Sequence, residues 1–284
     1  MGKLFKFLIY SNLYVALPVT FLVFQTYILF NISIDVWVLA GTYFGTLFLY
    51  NFHRLRGLNH VLRQDLSERH LWARKQKSFL ITLTVFSFFV GAISAWFFIS
   101  ISIFIWMLPP TLLALGYVVP FLKIKNRWFR LRDLPFLKAF LIAIAVSWLT
   151  LFLPLNKFFT VEVWLVFIER FLFLLAITIP FDIRDVNFDK HSKLKTIPAY
   201  FGEQKAKLFS YLFLGFSLSI SILLATQFKR PLPTLMAFLI AGLFSALVIA
   251  LSKKNSSEFH YSFLVEGTMI FQTIMVWGAE LYML

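Results

Sequence analysis

The chain has 284 residues, of which 60% are hydrophobic and only 14% are charged, and its mean hydropathy is +0.80. A soluble domain of this composition would expose far more apolar surface than it buries, so we expect one integral-membrane domain over residues 1–284. The absence of cysteine excludes disulfides, thiolate nucleophiles and Cys-ligated metal sites. The formal net charge of +14 would suit nucleic-acid binding, but the basic residues lie between apolar runs, so we expect no nucleic-acid partner.

Apolar runs follow one another along the chain, and each is close to the roughly 20 residues that a helix needs to cross a bilayer. The runs cover residues 7–31, 34–52, 78–98, 100–121, 135–154, 161–181, 207–227, 232–252 and 261–283. Only the residues ISIS separate the third run from the fourth, so eight or ten spans are alternatives to nine. The pattern predicts an all-α polytopic membrane bundle of about nine transmembrane helices.

Lysine and arginine are distributed unequally between the two sets of loops. Of the 27 basic residues, all but four lie near the N-terminus or in the segments after the second, fourth, sixth and eighth runs. The exceptions are Lys157, Lys229 and Arg230 in the opposite loops, and Arg170 inside the sixth run. Because cytoplasmic loops are enriched in Lys and Arg, we predict a cytoplasmic N-terminus, cytoplasmic long loops and an outer C-terminus.

Three aspartates follow the sixth run at helical spacing. Asp182, Asp185 and Asp189 are separated by three and four residues, which places them within about 60° of one another on a helix. Carboxylates this close repel one another unless a cation lies between them, and Mg²⁺ is the cation that suits an all-oxygen site. At a membrane surface this pattern favours a lipid-tailed diphosphate as the ligand. The alternative is a solvated loop in which the acids only pair with nearby bases.

The segment that begins at the first aspartate, DIRDVNFDKHSKLKTIPAYFG, resembles the second aspartate-rich motif of the UbiA superfamily of intramembrane prenyltransferases. The matching positions are Asp182, Asp185, Asp189, Lys195, Thr196, Pro198 and Gly202. The segment after the fourth run resembles the middle loop of the family, with Tyr117, Lys123 and Lys138 at its tyrosine and basic positions. The resemblance implies a nine-helix fold with cytoplasmic active loops.

The resemblance also implies an activity, which is transfer of a polyprenyl group from its diphosphate to an acceptor such as an aromatic ring. In this reading Asp182, Asp185 and Asp189 are the catalytic residues and the ligands of Mg²⁺. The basic and polar residues expected to contact the diphosphate are Asn51, Arg54, Tyr117, Lys123, Arg184, Lys190 and Lys195. The partners would be a polyprenyl diphosphate, an unidentified acceptor and the lipid bilayer.

The first aspartate-rich motif of the family is missing. After the second run the family has N-D-x-x-D, whereas this chain has LYNFHRLRGLNH, and no register places a carboxylate at the acidic positions. Two interpretations follow. Either His53, Arg54 and Arg56 contact the diphosphate directly, or the protein binds an isoprenoid or anionic lipid without turning it over.

Charged residues inside the apolar runs raise a third hypothesis, that of a transporter. Glu169 and Arg170 lie within the sixth run and Glu266 within the ninth, and intramembrane charges often mark transport sites. Adjacent helical residues point about 100° apart, so Glu169 and Arg170 are each expected to pair with another helix. We therefore favour a structural role for them.

Overall fold

The computed structural model describes residues 2–58, 68–120, 122–124, 127–155, 160–191 and 194–282, with the backbone alone at 122, 124, 127, 129, 190 and 191. These residues form a helical bundle, which confirms the all-α membrane fold class. The helices are α1 Lys3–Tyr10, α2 Ala16–Leu29, α3 Val36–Gly57, α4 Glu68–Lys75, α5 Lys77–Phe98, α6 Ile101–Val118, α7 Leu137–Leu155, α8 Val161–Arg184, α9 Val186–His191, α10 Ile197–Phe201, α11 Glu203–Gln227, α12 Leu232–Leu251 and α13 Glu266–Leu281. A π-helical turn, His260–Val265, leads into α13.

Polar residues at the ends of the apolar runs set the helix boundaries. Asp35 accepts hydrogen bonds from the backbone N–H of Trp37 and Val38, at 2.8 and 3.3 Å, and so begins α3. Ser100 begins α6 in the same way and Thr160 begins α8. The residues ISIS therefore contain a true break between two helices, because Ser100 supplies the cap that the new helix needs.

Every apolar run of the sequence is helical in the described residues. Six helices, α5, α6, α7, α8, α11 and α12, are long and apolar enough to cross a membrane, and α2 is a shorter apolar helix. The count of nine crossings stays a prediction. The first run is broken, because α1 ends at Tyr10 and Asn12 has a positive φ of 64°. The Asn12 amide donates to Asn51 Oδ1 at 2.9 Å, and Asn51 donates to the Ser11 carbonyl at 3.0 Å.

Helix α8 is the most buried of the six long apolar helices, and polar side chains at its middle attach it to its neighbours. Arg170 donates to Thr26 Oγ1 at 2.7 Å and to Gln25 Oε1 at 3.0 Å on α2, and to Thr150 Oγ1 at 3.2 Å on α7. Glu169 accepts a hydrogen bond from Ser217 on α11 at 2.8 Å. The two residues thus point to different helices, as their 100° separation predicts.

The ends of α3, α6 and α8 and the start of α7 lie at the same end of the bundle. We call it the basic end, because it carries the described parts of the lysine- and arginine-rich segments 54–77, 123–138 and 184–207. Between α6 and α7 a short hairpin pairs Leu122–Ile124 (β1) with Arg127–Phe129 (β2), and a 3₁₀ turn, Leu131–Asp133, follows. Large apolar side chains of α5, α6 and α12 point outward, as expected for helices that face lipid.

Candidate functional site

The three aspartates lie where α8 ends and α9 begins. Asp182 and Asp189 are buried, with 2% and 0% of their surface exposed, whereas the Asp185 side chain is partly exposed. Helix α8 ends at Arg184, and the chain restarts as α9 at Val186 with Asp189 N–H bonded to the Asp185 carbonyl at 2.9 Å. The stripe that the sequence predicts is therefore not splayed into bulk water.

Lys138, at the start of α7, lies between two of these aspartates. Its Nζ is 2.8 Å from Asp182 Oδ1 and 3.2 and 3.3 Å from the two carboxylate oxygens of Asp189. The backbone fixes this position, because Phe136 N–H donates to the Lys195 carbonyl at 2.7 Å and so joins the start of α7 to the segment after α9. One ammonium group is thus shared by two buried carboxylates.

Asp185 has a different cationic partner. Arg184 Nε and Nη2 donate to its two carboxylate oxygens at 2.8 and 3.2 Å, and Arg184 Nη1 lies 3.6 Å from Glu258 Oε2. Burial acts to raise the pKa of Asp185, but the Arg184 charge and hydrogen bonds outweigh it and the pKa is lowered. At Asp189 burial prevails over the Lys138 charge, and the pKa of this carboxyl is raised.

Tyr117 and Arg132 lie beside this cluster. The Arg132 guanidinium carbon is 5.6 Å from the centroid of the Tyr117 ring, and Lys138 and Asp182 both act electrostatically on the tyrosine. Arg132 Nε lies 3.9 Å from Asp133 Oδ1, which is too far for a hydrogen bond, and within the described residues this buried donor has no hydrogen-bond partner. Arg132 is therefore held in place with donor capacity left over.

The basic residues at the end of α3 fall into two groups, those bonded within the fold and those that line a cavity. Arg54 donates to the Tyr10 carbonyl and to Asn12 Oδ1, and so fastens α3 to the turn between α1 and α2. Asn51 is fully buried and engaged with the same turn, so its amide is committed within the fold. His53 and Arg56 instead line a cavity.

This cavity has a volume of about 790 Å³ and lies between α3, α6 and α7. Its walls are almost entirely apolar, and His53 and Arg56 stand at the basic end. Ala145 and Leu149 line it from α7, and Lys138 lies on the same helical face as Ala145, seven residues or about 10 Å toward the basic end. The wall of the cavity on α7 therefore ends about 10 Å from Lys138, which lies on the same helical face.

Three other residues that the sequence predicts as ligands of a diphosphate are Lys123, Lys190 and Lys195. Lys195 is exposed and contributes its carbonyl to the bond with Phe136. Lys123 is on the hairpin, with its Nζ 5.9 Å from the centroid of the Trp128 ring. The side chain of Lys190 lies outside the described part of the chain. Substrate contacts of Lys123, Lys190 and Lys195 stay predictions.

The residues present do not fit the expected magnesium site. Among the described residues no group of three or more His, Cys, Asp or Glu side chains is arranged to hold a metal ion. The donor chemistry gives the reason, because Asp182 and Asp189 already surround the Lys138 ammonium and Asp185 uses both of its oxygens on Arg184. In addition, the sequence 51–58 at the end of α3 has no acidic residue.

Solved structures superpose on nearly the whole chain. A UbiA homologue from Archaeoglobus fulgidus bound to GPP and Mg²⁺ matches with a TM-score of 0.65 and 14% identity over 96% of this chain and 99% of its own. The apo structure of a UbiA homologue from Aeropyrum pernix K1 matches with a TM-score of 0.61 and 14% identity over 100% of both chains. The chain has the UbiA fold. A digeranylgeranylglyceryl phosphate synthase matches with a TM-score of 0.58 and 16% identity, over 99% of this chain and 98% of that one.

The likeness confirms the UbiA fold that the resemblance of residues 182–202 implies. No protein-family model and no curated protein matches the sequence. Within the UbiA fold of this chain, sequence reasoning placed Lys138 only as a match to the middle loop and missed its double ion pair. The sequence signal for its location was helical spacing, which places Lys138 on the same face of α7 as Ala145 and Leu149. Arg184 and Glu258 are 74 residues apart in sequence, and the spacing of the motifs does not predict their contact.

Proposed function

We propose that this protein is an intramembrane prenyltransferase that takes a prenyl diphosphate and transfers the prenyl group to an acceptor. The observation that carries the proposal is the apolar cavity of about 790 Å³ that reaches His53 and Arg56 at the basic end. Its volume is within the range of about 300–1,000 Å³ that is usual for ligand pockets. An isoprenoid tail suits the apolar walls, and a diphosphate suits the basic mouth.

The chain's own residues supply two parts of such a reaction. Arg56 lines the cavity at the basic end, and Arg132 is close enough to act electrostatically on His53 there. Both cations would stabilise negative charge on the departing diphosphate. The allylic carbon–oxygen bond breaks with its electron pair on the diphosphate, the acceptor atom forms the new bond to that carbon, and the acceptor then loses a proton. The apolar walls exclude water, which would otherwise capture the allylic cation.

The proposal is tested with purified protein in lipid nanodiscs and labelled geranylgeranyl diphosphate. Candidate acceptors are offered by class, as an aromatic ring or a glycerol phosphate. We expect release of diphosphate together with a prenylated acceptor, and loss of both in Arg56→Ala. Lys77→Ala, an exposed basic residue at the start of α5, is the control and should retain turnover. Normal turnover in Arg56→Ala would argue against this site.

Binding without turnover is the second candidate function. The observation that favours it is the charge at the end of α3, where the sequence has His53, Arg54 and Arg56 and no acid. In the same nanodiscs, this function predicts saturable binding of geranylgeranyl diphosphate without release of diphosphate for any acceptor class.

The magnesium site that the sequence predicts at Asp182, Asp185 and Asp189 is not part of this proposal, because Lys138 and Arg184 already occupy these carboxylates. The cytoplasmic location of the basic end and the outer location of the C-terminus are part of the proposal. They are supported by the concentration of basic residues in the segments that the basic end carries.

A further inference from the structure

Each carboxylate of the aspartate stripe has a cationic partner supplied by the chain itself. Lys138 Nζ lies within 3.3 Å of oxygens of both Asp182 and Asp189, and Arg184 forms two hydrogen bonds with Asp185. Asp182 and Asp189 are almost completely buried, so these are desolvated ion pairs and not contacts of a solvated surface. Breaking such a pair by removing one partner leaves an uncompensated buried charge, which is strongly unfavourable.

A divalent ion would have to displace Lys138 in order to bind here. Mg²⁺ needs oxygen ligands at about 2.0–2.1 Å in octahedral geometry, and the space between Asp182 and Asp189 is taken by the ammonium group. The backbone bond from Phe136 to Lys195 ties the start of α7 to the loop after α9 and so keeps the backbone of Lys138 next to the two aspartates. Asp185 uses both of its oxygens on Arg184, so its hydrogen-bonding capacity is also taken by a cation of the chain.

The opposite side of the site has no carboxylates to share a second ion. The segment at the end of α3 places His53 and Arg56 at the mouth of the cavity, and Arg132 adds a buried Nε donor without a hydrogen-bond partner among the described residues. Arginine forms direct, charge-assisted hydrogen bonds with phosphate oxygens. The basic groups at the mouth therefore offer an anion the contacts that a metal ion would otherwise provide.

We propose that Lys138 is a built-in substitute for a divalent cation and that the site binds the phosphate head of its isoprenoid ligand without metal. The inference rests on the proposed function, since it concerns the head-group position of the same site. It assigns Lys138 the task of neutralising Asp182 and Asp189, and it assigns Arg56 and Arg132 the task of contacting the phosphate oxygens.

The first test measures binding of geranyl diphosphate to the wild-type protein in nanodiscs, once with EDTA and once with Mg²⁺. We expect the two dissociation constants to agree within about twofold, because no bound metal contributes to the affinity. A dissociation constant that weakens tenfold or more in EDTA, on the order of 1.4 kcal/mol by the standard conversion, overturns the inference and leaves the proposed function standing. Absence of saturable binding under both conditions overturns the proposed function.

The second test uses Lys138→Met, which removes the ammonium group and keeps an apolar side chain of similar length. The variant should melt at a lower temperature than the wild type in EDTA, and added Mg²⁺ or Mn²⁺ should raise its melting temperature as the ion enters between Asp182 and Asp189. The wild type should show no such response. Lys207→Met is the matched control, because Lys207 also pairs with a carboxylate, Glu203 at 3.0 Å, but at the surface.

A third variant keeps the inference falsifiable if Lys138→Met is poorly folded. Lys138→Met combined with Asp182→Asn also removes the negative charge of Asp182. This double variant should be more thermally stable than Lys138→Met, and divalent ions should no longer raise its melting temperature. A wild-type protein whose melting temperature rises with Mg²⁺ in the absence of any diphosphate, and a double variant that still responds to Mg²⁺, would each overturn the role assigned to Lys138.

Discussion

Phe136 donates its backbone N–H to the carbonyl oxygen of Lys195 at 2.7 Å, and this bond joins the start of α7 to the segment between α9 and α10. Phe136 has a positive φ of 64°, so the chain turns sharply just before α7 begins. Two residues later, Lys138 meets Asp182 and Asp189. The geometry of the acidic cluster therefore depends on a backbone contact between two segments that are far apart in sequence.

Replacing Asp182 should reveal how much the buried cluster stabilises the fold. In Asp182→Ala, Lys138 keeps Asp189 as a partner, and we expect a loss of about 3 kcal/mol in the free energy of unfolding, the lower end of the range for a broken buried pair. Glu203→Ala breaks the surface pair with Lys207 and should cost less than about 1 kcal/mol. Unfolding by SDS in mixed micelles measures both. Equal losses in the two variants would contradict a desolvated cluster.

Filling the cavity should separate binding of the tail from binding of the head. Ala145 lines the cavity from α7, and a tryptophan at this position would occupy space that an isoprenoid needs. We expect Ala145→Trp to weaken binding of geranylgeranyl diphosphate at least tenfold and to leave binding of inorganic diphosphate unchanged. Competition with the labelled lipid in nanodiscs measures both affinities. Ala92→Trp, on an exposed face of α5, is the control and should behave as the wild type.

The sequence was sufficient for the parts of this structure that depend on local pattern. The apolar runs locate the helices, and the spacing of Asp182, Asp185 and Asp189 places them together. The break between α5 and α6 stayed open in the sequence until the structure showed the cap at Ser100. The aspartates fell on the expected stripe because α9 continues from α8 with only a short irregularity at Asp185. Hydrophobic period and helical spacing are short-range properties, which is why they can be read from one chain.

Contacts between residues far apart in the sequence cannot be predicted from such local patterns. The run 7–31 contains the polar pair Ser11 and Asn12, but the break there also depends on Asn51, which bonds to both of them from another helix. The sequence predicted that the Asn51 side chain contacts a substrate. In the structure Asn51 is buried, and it joins α3 to the turn after α1. The position of Lys138 depends in the same way on the bond from Phe136 to Lys195.

The buried charges of α8 give a test between an enzyme and a transporter. Arg170 is 1% exposed and binds three polar side chains on α2 and α7, so Arg170→Met should lower the melting temperature markedly. Glu169→Gln keeps an oxygen that can accept from Ser217, so this variant should be nearly as stable as the wild type and retain prenyl transfer. Turnover per folded molecule is the measurement. A stable Glu169→Gln protein that has lost turnover would contradict the structural role of Glu169 and reopen the question of an intramembrane functional charge.

Single-cysteine labelling should determine which side of the membrane the basic end faces. The natural chain has no cysteine, so a reagent that cannot cross the membrane reports only on the introduced residue. We expect Lys254→Cys, between α12 and the π-helical turn, to be labelled from the cytoplasmic side, and Lys229→Cys, between α11 and α12, from the outer side. Intact cells and inverted vesicles should give opposite results. Labelling of both residues from one side would contradict the predicted topology.

Asp185 and Asp189 should give the stability of the protein opposite dependences on pH. The pKa of Asp185 is lowered in the folded state, because the charge and hydrogen bonds of Arg184, with the charges of Lys138 and Arg69, outweigh burial. Its ionised form therefore stabilises the fold above the unfolded pKa of about 3.9, and that contribution is lost as the pH falls through the folded value. The pKa of Asp189 is raised, chiefly by burial. The protonated form of Asp189 therefore stabilises the fold. This contribution is largest below the pKa of the unfolded state and is lost as the pH rises through the pKa of the folded state.

The two asparagine variants separate these contributions. As the pH is lowered through the acid range, the wild type should lose its stability advantage over Asp185→Asn, because protonation removes the charge that pairs with Arg184. Over the same range it should gain relative to Asp189→Asn, because the folded state takes up a proton at Asp189 before the unfolded state does. Unfolding in mixed micelles at a series of pH values measures both differences. If the two stability differences changed in the same direction with pH, Arg184 would not be the partner of Asp185 and Lys138 the partner of Asp189 as the structure shows.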